Sequence, residues 1–239
     1  MTAPVFGAIL AAGEGSRLRS DGWDGPKPLV RVAGVPLIEH AISNFLASGV
    51  TRLAIIFSDS EEDCAAFVRS RFPGAEIDIL LRRTSSSFES FRALSARIPA
   101  GRILFSTVDG WWLPEDFAGF VRAAVATPAD STVLAVTRFV DDERPLWVRT
   151  RGDGAVEALG GEGGDCVTAG AYLFSARARE LAADAPADRL REFLHWLVRQ
   201  EEPVRAVSVG KVVDVDRGRD VAVAEELARR RSASAETSS

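Results

Sequence analysis

Only two of the 29 basic residues in this 239-residue chain are lysines, Lys27 and Lys211. Lysine is a compact point charge and arginine a planar fork. A chain that uses arginine almost everywhere marks these two positions for work the fork does poorly. Lys27 lies in Pro26-Lys27-Pro28-Leu29, a stiff extended segment whose prolines aim its ammonium. Upstream, Leu10-Ala11-Ala12-Gly13-Glu14-Gly15-Ser16-Arg17-Leu18 follows an apolar run. Gly13 and Gly15 permit a tight turn and close approach of the backbone to a ligand. Successive N–H groups in such a turn form an anion-binding concavity, and Arg17 adds a fork suited to two phosphate oxygens. The chemistry these residue types support is the holding of phosphates.

Two common phosphate motifs do not fit. The dinucleotide fingerprint needs a third glycine where Leu18 stands, and the second strand ends near Asp59, too far along for the ribose acid. The P-loop pattern has no match. Elsewhere, Asp109 follows the apolar residues 103–105, and a carboxylate just past a parallel strand lies in the crevice where such sheets bind ligands. In Lys211-Val212-Val213-Asp214-Val215-Asp216, alternation puts both aspartates on one strand face. Ser85, Ser86 and Ser87 open a helix, with Ser85 or Ser86 as cap and Glu89 closing a capping box. Trp111, Trp112 and Trp147 either line a pocket or pack the core. His40 and His195 stand isolated on helices and read as structural, and no zinc-type spacing is present.

Strands are expected at 4–10, 52–57, 76–81, 102–107 and 131–136, with helices at 35–48, 60–71, 87–97 and 114–127 between them. The rhythm predicts an α/β fold, a mostly parallel (mixed) central sheet flanked by helices. After residue 140 the strands read as a meander or hairpin. Helices follow at 176–183 and 187–200, then strands at 203–209 and 211–215 and a last helix over 218–231. Residues 1–231 read as a single domain, and the polar, small-residue segment 232–239 reads as a disordered tail.

The net charge of −5 argues against a nucleic-acid partner. Apolar runs fall well short of the roughly 20 residues a membrane span needs. The N-terminus lacks the basic flank of a signal peptide. Cys64 and Cys166 are far apart in sequence. The expectation is a reduced, cytoplasmic protein.

Residues 10–18 and 26–29 resemble the signature of the sugar-1-phosphate nucleotidylyltransferases, L-A-A-G-x-G-[ST]-R-[LM] followed by P-K-P-[LM], within the NTP transferase family. That resemblance implies a nucleotidyltransferase (Rossmann-like) three-layer architecture with a nucleotide-binding part over about 1–138, an acceptor-binding part over about 139–210 and a closing metal motif over 211–231. It implies nucleotide contacts from Leu10, Ala11, Ala12, Gly13, Gly15, Ser16, Arg17 and Lys27, with Ser85, Ser86 and Ser87 at the base. It makes Asp109 and Asp214 the Mg²⁺ ligands, and Lys27, Arg17 and Asp109 the catalytic set. Asp216 ranks behind Asp214 and is assigned to the turn or to capping the next helix. On the acceptor side the resemblance implies Thr168 and Gly170; Glu157, on a preceding strand, is a further candidate. The chain departs from the pattern in its connecting loop, residues 19–25, which carries Trp23, in Gly110-Trp111 after Asp109, and in Arg217-Gly218 where threonine and proline are usual.

The implied partners are an NTP and a phosphorylated small molecule. A sugar 1-phosphate is preferred; the alternatives are an alcohol phosphate or phosphonate with CTP, as in choline- or inositol-phosphate cytidylyltransferases, molybdenum-cofactor nucleotidylation, or a catalytically silent nucleotide-binding relative.

Overall fold

The computed structural model of the chain describes residues 5–13, 15–140 and 144–236. The elements of the first part are β1 (Phe6–Leu10), α1 (Ser16–Ser20), β2 (Arg31–Val32), β3 (Val35–Pro36), α2 (Leu37–Ala47), β4 (Arg52–Phe57), α3 (Glu62–Arg71) and β5 (Glu76–Leu81). They continue with α4 (Ser87–Arg97), β6 (Ile103–Thr107), β7 (Gly110–Trp111), α5 (Pro114–Val125) and β8 (Thr132–Thr137). The second part holds β9 (Trp147–Thr150), β10 (Val156–Leu159), β11 (Cys166–Phe174), α6 (Ala176–Leu181), α7 (Leu190–Arg199), β12 (Val204–Ser208), β13 (Val213–Asp214) and α8 (Gly218–Glu236).

The main sheet runs β10-β9-β11-β6-β1-β4-β5, with β8 paired to both β11 and β12. β6, β1, β4 and β5 are parallel neighbours, as the alternation of strands and crossover helices requires. β11 runs antiparallel to β6, β8 and β9. The sheet is therefore mixed: parallel where the phosphate motif sits, largely antiparallel in the second part.

Period-two alternation along the strands fills two cores, one on each sheet face. Ile9 faces the layer made by α2, α3, α5 and α8, with Phe45, Cys64, Phe117 and Ala224. Ala8 and Leu10 face α4 and α7, with Phe88, Phe91, Leu94 and Phe193. In α7, Leu190, Phe193, Leu194 and Leu197 recur at helical spacing and are all buried.

Short elements appear beyond those expected, α1, β2, β3 and β7, and two at the C-terminal end differ in extent. The helix after residue 218 does not end at 231 but runs on to Glu236. Glu226 pairs with Arg229 and Arg230, the three- and four-residue spacings that support an exposed helix. Residues 237–239 lie outside the described residues. The strand expected over 211–215 is reduced to Val213–Asp214 because the chain turns at once into α8.

Candidate active site

β1 and β6 end side by side, with Leu10 opposite Thr107. Beyond β1 the chain enters α1 through Gly15, whose φ of 60° is left-handed. A Cβ on Gly15 would lie 2.9 Å from the Cβ of Lys27. Glycine is needed there twice over, for the turn and for room beside the lysine. Lys27 is not in the extended segment its flanking prolines suggest: only Pro26 is extended, and Lys27 opens a short 3-10 turn, residues 27–29, where it is only 7% exposed. Its Nζ donates to Asp109 Oδ2 at 2.6 Å and to Asp216 Oδ1. Arg17 Nη1 donates to the other oxygen of Asp216.

β13 and β7 pair so that Asp214 lies opposite Gly110, and the Val215 N–H donates to the Asp109 carbonyl at 3.0 Å. This ladder sets the carboxylates together: Asp109, Asp214 and Asp216 offer oxygens that all lie within 4.8 Å of one another. Three clustered carboxylates are a hard-oxygen set of the kind that binds Mg²⁺ or Ca²⁺. Burial opposes the charge on Lys27, but Asp109, Asp214 and Asp216 together outweigh it and hold its pKa above the ordinary lysine value. Burial likewise pushes the Asp109 carboxyl up, while Lys27 and the Thr107 hydroxyl more than offset that and hold it below the usual carboxylate range.

The acceptor-side segment meets the same place. Gly170 has φ 73°, and a Cβ there would lie 3.0 Å from Thr107 Oγ1. It sits in the register shift of β11 between Thr168 and Tyr172. Thr168 and Gly170 line a small cleft with Thr107, Phe139 and Asp214.

Residues 7–201 match the model of the MobA-like NTP transferase domain. The chain belongs to that family.

Among curated relatives of this NTP transferase domain, the bifunctional IPC transferase and DIPP synthase of Rubrobacter xylanophilus is 28% identical over 233 residues, 93% of this chain and 52% of the relative. The N-acetylmuramate alpha-1-phosphate uridylyltransferase of Caulobacter vibrioides is 32% identical over 140 residues, 54% of each chain. The bifunctional protein GlmU of Azorhizobium caulinodans is 31% identical over 127 residues, 53% of this chain and 28% of the relative. The chain thus spans about half, or less, of the length of these relatives. Among solved structures, the inositol-1-phosphate CTP transferase from T. maritima superposes with a TM-score of 0.79 at 20% identity, covering 92% of this chain and 93% of that one. A UDP-glucose pyrophosphorylase complexed with UDP-glucose gives 0.77 at 12% identity, covering 95% and 99%. At such identities these two establish the fold.

Other expected residues of the NTP transferase domain fall as follows. Asp216 does not cap α8. Asp220 does that, its carboxylate accepting the N–H groups of Asp216 at 3.0 Å and Arg217 at 2.7 Å. The Asp216 side chain is left facing Lys27 and Arg17, so it joins Asp109 and Asp214 in the cluster. Glu157 is not brought to the site. It lies on β10 at the sheet edge, 3.6 Å from Arg151, in a separate cleft with Ser131 and Pro203. Trp111 and Trp112 are buried, the first stacked on His40 at 5.0 Å and the second edge-on to Phe117, so both pack the core. Lys211 sits with Nζ 3.7 Å from the centre of the Phe139 ring, beside the acceptor cleft. Thr107 is the site residue with no signal in the sequence, a threonine at a strand end that turns out to touch Asp109 and abut Gly170.

Ser86 caps α4, its Oγ accepting the Glu89 N–H at 3.1 Å, and Glu89 in turn accepts the Ser85 N–H at 2.7 Å. Ser87 Oγ accepts the N–H of Leu190 at 3.1 Å, tying α4 to α7. Ser86→Ala is expected to lower unfolding stability by about 1 kcal/mol in urea titration.

His40 has a structural place, its Nε2 donating to the Trp112 carbonyl at 2.7 Å. Burial holds its pKa below the ordinary histidine value, with the Trp112 bond working against the shift. The unfolded chain then binds more protons than the folded one as pH falls through the ordinary histidine value, so folding stability drops there and levels off below the depressed folded pKa. Melting temperature is expected to fall between about pH 7.5 and 5.5, and His40→Gln should flatten that slope. No helix among the described residues is long and apolar enough to cross a membrane.

Proposed function

We propose that this chain transfers a nucleoside monophosphate from an NTP to a phosphorylated small molecule, with a sugar 1-phosphate the favoured acceptor. One observation carries the reading: Lys27, Arg17 and three carboxylates from distant parts of the chain converge at the ends of β1 and β6, beside the cleft of Thr168 and Gly170.

An oxygen of the acceptor phosphate attacks the α-phosphorus. The bond from that phosphorus to the bridging oxygen breaks, and pyrophosphate leaves with the electron pair. A phosphate monoester has a second pKa near ~6, so the nucleophile is already ionised at neutral pH and needs no general base. The difficulty is bringing two anions together, which is a matter of positioning and charge. The backbone of residues 10–13 and 15–16 cradles the triphosphate. Lys27 neutralises charge at the α-phosphate, and Arg17 turns from Asp216 to the β- and γ-phosphates. Ser85–Ser87 stand toward the base, and Thr168 and Gly170 toward the acceptor. Asp109, Asp214 and Asp216 fit Mg²⁺, which when bound supplies Lewis-acid charge to the phosphate oxygens. The nucleotide part is residues 1–138, the acceptor part 139–210 and the closing motif 211–231. Two free, buried thiols, Cys64 and Cys166, suit a reducing cytoplasm.

A second reading, cytidyl transfer to a polyol phosphate such as inositol 1-phosphate, is motivated by the shared fold of the inositol-1-phosphate CTP transferase from T. maritima, which covers 92% of the chain. Pyrophosphate release, followed for each NTP against sugar 1-phosphates, inositol 1-phosphate, choline phosphate and molybdopterin, tests both. Release with one sugar 1-phosphate supports the first reading and release with CTP and inositol 1-phosphate the second. No release with any pair would sink the enzymatic proposal and leave a nucleotide-binding relative.

A further inference from the structure

Two of the places where the chain departs from its family's motifs touch each other. Asp21, in the segment that carries Trp23, accepts the Gly218 N–H through Oδ2 at 3.0 Å. Its Oδ1 lies 3.9 Å from the Arg217 guanidinium. The Trp23 indole nitrogen lies 3.5 Å from where a Cβ on Gly218 would stand. Proline, usual at this point in the motif, has no N–H to satisfy at a helix start. Gly218 opens α8 with an N–H, and Asp21 is its acceptor.

The geometry has a second half. Asp21 caps the C-terminus of α1, four residues after Arg17, so the two side chains lie on the same side of that single turn. Arg17 holds Asp216, and Asp21 holds Gly218 two residues further on. Under the proposed reaction Arg17 is drawn to the triphosphate and gives up Asp216. The Asp21 contact has no substrate to serve and stays in place.

We propose that Asp21 is a positioning residue. It latches the phosphate-binding turn to the closing turn, so that Asp214 and Asp216 remain against Asp109 and Lys27 while Arg17 engages the nucleotide. Only the kinetic part of this inference rests on the proposed transfer reaction.

The test is a cycle on the full chain. Asp21→Ala is expected to speed exchange of the Gly218 amide at least ~10-fold by NMR and to raise the Mn²⁺ dissociation constant about fivefold, with the KM for NTP rising similarly and kcat within about twofold. Asp21→Asn keeps an acceptor oxygen and drops the charge. It should restore all of these to within about twofold of wild type, because Asn caps as well as Asp. In a Gly218→Pro chain the N–H is gone, and adding Asp21→Ala should change Mn²⁺ affinity less than about twofold. An unchanged Gly218 amide and Mn²⁺ affinity in Asp21→Ala would overturn the latch. So would failure of Asn to restore them, or an equal Asp21→Ala effect in the proline background. Amide exchange and Mn²⁺ binding need no turnover, so an inactive wild-type chain that still shows the cycle refutes the reaction and keeps the latch.

Discussion

Replacing Lys27 with alanine is expected to lower kcat/KM by about 10³-fold, which is the scale of losing one preorganised charge at a developing anion. The ammonium is buried, and two carboxylates grip it directly. Nothing in that position is free to be replaced by water without leaving Asp109 and Asp216 to repel each other. The same variant should therefore melt at lower temperature than wild type, and added Mg²⁺ should recover part of the loss. Lys27→Arg should not rescue the rate. The fork is bulkier than an ammonium, and the lysine stem runs so close to Gly15 that even a Cβ there would lie 2.9 Å from the Lys27 Cβ. Stopped-flow or steady-state pyrophosphate release gives the rate, and calorimetry gives the Mg²⁺-dependent shift. A Lys27→Ala chain within tenfold of wild-type kcat/KM would remove the lysine from the chemistry.

Asp109→Asn is expected to cost as much, about 10³-fold in kcat/KM, together with most of the Mn²⁺ affinity. Asp109 is the carboxylate that links the rest. Its side chain takes Lys27, and its carbonyl takes the Val215 N–H that brings Asp214 and Asp216 alongside. Asparagine is nearly isosteric, so the backbone ladder should survive and the loss should read as charge. Asp216→Asn separates the cluster from a capping role. A loss of about 10²-fold with near-normal stability is expected from a member of the cluster. A drop of about 1 kcal/mol in stability with normal turnover is what a mere cap would give.

The layers and the phosphate turn were readable because both are local. Alternating apolar runs set β1, β4, β5 and β6 and the helices between them, and Gly13, Gly15 and the Pro-flanked Lys27 lie within one short stretch. What Lys27 touches was not local: its partners are 82 and 189 residues away, and spacing along the chain carries no trace of them. For Asp216, alternation says only that it shares a face with Asp214; its contacts with Lys27 and Arg17 come from the folded turn. The turn that frees it depends on Asp220, whose place at the third position of α8 is a capping signal that was there to be read. Glu157 shows the opposite failure. Its strand was expected, but sequence does not say that β10 lies at the sheet edge, with β9 between it and β11. The tail helix followed from charge pairs at Glu226, Arg229 and Arg230, which a composition of small polar residues just beyond them obscured.

The most direct measurement of the central claim is transfer of label from an NTP carrying ³²P at the α-position to a phosphorylated acceptor, run with Mg²⁺ on wild type, Lys27→Ala and Asp109→Asn. Label should appear in the acceptor product in wild type, only when acceptor and Mg²⁺ are both present, and fall by at least about 100-fold in each variant. Label that never leaves the nucleotide, or that transfers equally well in either variant, would contradict the account.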